Sequence, residues 1–102
     1  MKKKVTQYKD PGTFFEKLLK DPEIRVHFEK EHAKTQIAMA VKATRKKAKL
    51  TQAQLARKVG TTQSVIARLE SGEDSRTPSL DLLARIASAC DSTLEIGFLK
   101  AI

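Results

Sequence analysis

Residues 50–72 read LTQAQLARKVGTTQSVIARLESG, and this stretch decides the fold. Thr51 with Gln54 forms a capping box, in which each side chain satisfies a backbone N–H of the other's turn. A helix follows to Val59, with Leu55, Ala56 and Val59 apolar at helical spacing. Gly60 suits a left-handed C-terminal cap, and Thr61-Thr62 offers a new N-cap. Val65, Ile66 and Leu69 carry the next apolar face, and Gly72 ends it.

Two short helices joined by a tight glycine turn have the layout of a helix-turn-helix. Ala56 falls where the helices cross, where only a small side chain fits. Ile66 and Leu69 anchor the second helix on the first, and Leu55 and Val59 complete the wedge. Gln63, Ser64, Ala67 and Arg68 then face away from this core. Glutamine bonds adenine bidentately and arginine bonds guanine, while a small alanine admits close approach or a thymine methyl. The free N–H groups of a helix N-terminus suit phosphate. Gln52, at the start of the first helix, is placed to sit over the DNA backbone.

Downstream, 73–78 reads as a polar loop closed by Pro78, and Ser79 to Ala89 as a helix with Leu80, Leu83, Ile86 and Ala87 inward. Asp91-Ser92 is a turn, and 93–99 alternates, with Leu94, Ile96 and Phe98 on one side, as a strand does. The chain supplies no second strand, so a partner chain is the expected neighbour. Upstream, Lys2, Lys3 and Lys4 read as a mobile arm and Asp10-Pro11-Gly12 as a turn. Thr13 and Glu16 open a short helix through Leu19, with Phe14, Phe15, Leu18 and Leu19 on its apolar face. Asp21-Pro22 starts another, either one helix to about Ala48 or two with a break near 33–36. The expected fold is all-α with one C-terminal β-strand. Its parts are an N-terminal arm and helical extension over 1–35, a helix-turn-helix domain over 36–91, and a strand for dimer pairing in 92–102.

Charge follows this division. The chain of 102 residues carries a formal net charge of +8, with a pI of about 9.8. Residues 1–35 contribute +3, residues 36–70 +7 and residues 71–102 −2. Lys42, Arg45, Lys46, Lys47 and Lys49 crowd the end of the helix ahead of the motif. A local excess of this kind attracts a polyanion more than a uniform surface does. Lys46 and Lys47 are therefore candidate phosphate contacts, although basic residues also complement the C-terminal end of a helix dipole.

Residues 50–72 resemble the lambda-repressor-like, or XRE-type, helix-turn-helix family, and the similarity extends through Ala89. The segment LLKDPEIRVHFEKE (18–31) and the LEIGFL stretch (94–99) resemble HigA-type antitoxins. The resemblance implies a lambda-repressor-like bundle that binds double-stranded operator DNA as a homodimer and represses its own promoter. It further implies that the chain neutralises a co-encoded RelE-like ribonuclease toxin. On this basis Gln63, Ser64, Ala67 and Arg68 read the major groove, and Gln52 and Thr62 contact phosphate. Arg76 is a weaker phosphate candidate, because Glu73 and Asp74 stand where relatives often carry a basic residue. Phe14, Phe15, Leu18, Ile24 and Phe28 are the candidate toxin contacts. The runner-up is a stand-alone phage-type regulator of the same family, without a toxin.

Other classes find little support. A single cysteine excludes an internal disulfide framework and a Cys-rich zinc site. His27 and His32 lie roughly 140° apart on a helix, a poor metal pair. No Gly-rich phosphate loop, HExxH or paired-carboxylate site is present. Neither catalysis nor a cofactor is expected. No apolar run approaches the ~20 residues of a membrane span, and the Met-Lys-Lys-Lys start lacks an apolar segment after it. The expected location is cytoplasmic, at the nucleoid when bound to an operator.

Overall fold

The computed structural model describes residues 11–100. Five helices follow in order: α1 Pro11–Lys20, α2 Pro22–Lys47, α3 Gln52–Val59, α4 Gln63–Ser71 and α5 Leu80–Ala89. The chain divides into two compact units, residues 1–33 and Lys34–Ile102. Helix α2 contributes its first part to one and its second part to the other, as one uninterrupted helix.

The larger unit is built around α3, which packs on both α4 and α5. Its core joins Val41 of α2, Leu55, Ala56 and Val59 of α3, Ile66 and Leu69 of α4, and Ile86 and Cys90 at the end of α5. Leu55 and Ile66 are fully inaccessible to solvent. Ile37, Ala48, Leu50, Leu82 and Leu83 pack around this centre.

Local signals set the helix ends. The Gln54 N–H donates to Thr51 Oγ1 at 3.0 Å, and the Thr51 N–H donates to Gln54 Oε1 at 2.8 Å, closing the capping box. Gly60 has φ of 78° and Gly72 φ of 74°, both left-handed C-caps that glycine adopts without penalty. Thr62 and Ser79 cap α4 and α5 by accepting the N–H groups of Val65 and Leu82. Helix α2 stops without a glycine: Lys49 takes a φ of 60°, and the Leu50 N–H reaches back to the Arg45 carbonyl at 3.2 Å.

Four expectations need correction. Pro11 and Gly12 belong to the first turn of α1 rather than to a separate turn; proline is at ease at a helix start, where its missing N–H costs nothing. Leu80 points outward, and Leu82 joins the core in its place. Arg45 is buried and leaves the basic surface run. The C-terminal β-strand is absent: residues 92–100 lie in no helix or strand. A strand exists only through a ladder, and no second strand occurs among the described residues. The arm at Lys2–Lys4 lies outside the described residues.

In the smaller unit, Phe14, Phe15, Ile24 and Phe28 are exposed and Leu18 is half-buried. The Phe15 and Phe28 rings meet edge to face at 5.9 Å, and Phe28 stacks on His32 at 6.2 Å.

Candidate nucleic-acid interface

Helix α4 buries one face and frees the other. Ile66 and Leu69 are in the core, whereas Gln63, Ser64 and Arg68 are exposed and Ala67 is half-buried. Positions 63, 64, 67 and 68 recur at three- and four-residue spacing, so they form one stripe. Thr62 begins this stripe. Its hydroxyl oxygen accepts from the Val65 N–H at 3.3 Å, which leaves the hydroxyl proton for an external acceptor.

A polar relay fixes the head of that stripe. Arg45 reaches Glu70 with two parallel bonds, Nε to Oε2 at 2.7 Å and a terminal nitrogen to Oε1 at 2.9 Å. Its remaining terminal nitrogen donates to the Leu50 carbonyl at 2.8 Å. Both side chains are nearly closed off from water, with exposures of 10% and 4%, so the pair forms a covered, bidentate contact. Burial raises the Glu70 carboxyl, but the bonds from Arg45 and Gln52 and the charges of Arg45 and Lys42 more than offset this, and it lies below its ordinary value. Gln52 Nε2 donates to Glu70 Oε1 at 3.1 Å, and Gln63 Nε2 donates to Gln52 Oε1 at 3.1 Å.

The relay has a direction. An ionised carboxylate only accepts, so Gln52 turns its NH2 to Glu70 and its carbonyl to Gln63. Gln63 therefore spends one N–H on Gln52 and keeps one N–H and its carbonyl oxygen for a ligand. That donor–acceptor pair is what the major-groove edge of adenine requires. Gln52 is half-buried rather than lying free over the DNA.

The far end of the stripe is also tied. Asp74 accepts from the Arg76 backbone N–H at 3.0 Å, from Arg76 Nε at 3.2 Å and from a terminal Arg76 nitrogen at 3.3 Å. These contacts and the nearby Arg68 hold the Asp74 carboxyl below the usual carboxylate range. Arg68 Nε lies 3.8 Å from the same carboxylate. The structure thus engages Arg76 within its own loop instead of presenting it freely to phosphate. Lys46 and Lys47 are exposed in the last turn of α2.

Sequence reading missed Arg45, Glu70 and Asp74 as parts of this surface. The available signals were Arg45 in register with the apolar Val41 and Ala48, and Glu70, the single acid among eight bases in residues 36–70 and two turns along α4 from Gln63.

A capped pair of short helices, with one polar stripe held from behind by a buried ion pair, defines a helix-turn-helix DNA-binding module. Residues 41–96 match the helix-turn-helix family model HTH_3, more than half of the chain, and the chain belongs to this XRE-type family of DNA-binding regulators. No curated protein and no solved structure matches the chain. Among the described residues, no helix is long and apolar enough to cross a membrane, and no group of three or more His, Cys, Asp or Glu could hold a metal ion.

Proposed function

We propose that the chain is a transcriptional repressor that binds a two-fold operator as a homodimer, with α4 in the major groove. The observation that carries this is the relay from Glu70 through Gln52 to Gln63, which leaves a donor and an acceptor together on the exposed helix face. Two-fold binding requires half-sites about one helical turn, roughly 34 Å, apart. The segment after α5 supplies a means of dimerisation, since Leu94, Ile96, Phe98 and Leu99 are exposed there. An antiparallel pair centred on Ile96 sets Leu94 of one copy opposite Phe98 of the other and Ile96 opposite itself. Centring on Glu95 opposes like charges, and centring on Gly97 puts Leu94 opposite Lys100. The test of DNA reading is selection of duplexes from a random pool, followed by gel-shift titration of Arg68→Ala. A consensus with two-fold symmetry and weaker binding by the variant support it; unchanged binding by Arg68→Ala overturns the assigned face. Sedimentation of Ile96→Lys tests the dimer, which should become monomeric.

A second role is favoured by the exposed Phe14, Phe15, Ile24 and Phe28 in the smaller unit. Large apolar groups on a surface of this kind favour a protein partner. With the resemblance to HigA-type antitoxins, the proposed partner is a RelE-like ribonuclease toxin encoded beside this chain. Co-purification with the neighbouring reading frame tests it. Recovery of this chain alone, with Phe14–Phe28 dispensable for every activity, favours the stand-alone regulator instead.

A further inference from the structure

Asp74 stands out because it is an acid placed against two cations, one on the DNA-facing stripe and one on the loop that follows it. It meets both, Arg68 and Arg76, from a single carboxylate. Its side chain is 21% exposed, against 50% for Arg68 and 66% for Arg76, so the acid belongs to the framework and the arginines are the outer groups. The two contacts differ in kind. Arg76 is held by three hydrogen bonds. Arg68 approaches by its Nε edge at 3.8 Å, beyond hydrogen-bond length. Its carbonyl accepts from the Ser71 hydroxyl at 2.8 Å, but its guanidinium has no other partner among the described residues, so the terminal nitrogens stay available.

We propose that Asp74 is a specificity-determining residue: a resident anion that makes phosphate compete for Arg68 and Arg76 while leaving Arg68 able to bond a base edge. The proposal rests on the reading of α4 as the DNA-facing helix. Non-specific binding draws almost all its free energy from phosphates and their released counterions. A single carboxylate at 3.2–3.8 Å offsets up to half of the charge that those two guanidinium groups offer to a phosphate. Guanine O6 and N7 are neutral acceptors reached by the nitrogens that Asp74 does not engage. Asp74 thus taxes the non-specific complex through both arginines. It taxes the operator complex through Arg76 alone, because Arg68 is already spent there on a base.

Asp74→Asn removes the charge and keeps an Oδ1 acceptor for the Arg76 N–H, so the loop retains its turn. Glu73→Gln makes the same charge change one residue away, on an exposed side chain. Both variants of the full chain are titrated against a selected operator duplex and a scrambled duplex of equal length, over a salt series. Asp74→Asn should bind the scrambled duplex about three- to tenfold more tightly, with a salt slope steeper by about one. Operator affinity should rise by less, so the operator-to-scrambled ratio falls about threefold or more. Glu73→Gln should change the ratio by less than about twofold. Equal effects of the two variants reduce Asp74 to a share of the net charge and overturn the proposal. So does an unchanged or increased ratio for Asp74→Asn. A random pool that yields no consensus removes the reading of α4 and this proposal together, whereas a consensus with equal variant effects removes only this one.

Discussion

Gln63 donates from Nε2 to Gln52 Oε1 across 3.1 Å, joining the first residues of α3 and α4. The contact orients the side chain best placed to read a base, and Gln52 is itself oriented by Glu70. Gln63→Ala should therefore cost about 1–3 kcal/mol at one base position of the operator. Gln52→Leu should lose discrimination at that same position, although it reads nothing directly. A panel of operators with single base changes checks both. Loss at different positions would separate the two glutamines.

Stability and recognition can be pulled apart behind this contact. Glu70→Ala leaves the buried Arg45 guanidinium uncompensated and should destabilise by about 3–5 kcal/mol in urea unfolding. Arg45→Met with Glu70→Leu removes both charges and fills the space, so its stability should lie much closer to that of the parent. The double variant should still bind the operator poorly, because Gln52 has lost its anchor.

The same carboxylate predicts an acid response. The folded Glu70 is depressed below its ordinary value, so its stabilisation is fully present above the unfolded value of about 4.3. It is lost as pH falls through the lower folded value. Glu70→Gln should show a flatter stability curve below pH ~4.3 than the parent, measured by thermal melts across pH. A parallel offset with the same slope would contradict the assignment.

Lys49 ends α2 with a left-handed backbone that glycine adopts more readily. Its side chain is exposed, so little packing is lost on removing it. Lys49→Gly should raise stability by about 0.5–1 kcal/mol, less the entropy glycine adds to the unfolded chain. The urea midpoint reports the outcome.

Lys46 and Lys47 are exposed beside the buried Arg45. If they meet phosphate, each change to alanine should weaken operator and scrambled duplexes alike and lower the salt slope by about 0.9. Arg45→Met should instead act through folding. A gel-shift salt series distinguishes the two behaviours.

The parts legible in the sequence are those written locally. Thr51 with Gln54, Gly60, Thr62, Gly72 and Ser79 mark helix ends within a turn of themselves, and the structure uses each of them. What was not legible is long-range. Spacing alone sets Arg45 apart from Lys46, since it falls on the buried face of α2 between Val41 and Ala48; what the sequence does not show is its partner, Glu70, 25 residues on. Asp74 read as a departure from the family pattern, because its partners lie on a loop and a helix that only folding brings together. Alternation over 93–99 gave the right periodicity for a strand, but periodicity does not supply the neighbouring backbone that a strand needs.

The capped ends of α3 and α4 have a consequence for how such a chain can diversify. Because the start and stop signals of α4 fall on Thr62 and Gly72, Ser64 and Arg68 between them are open to replacement at little expense to the core. Gln63 is less free, since its amide completes a chain of polar groups that runs back to Glu70. Paralogues that acquire new operators should therefore vary first at positions 64 and 68, and change 63 only together with 52.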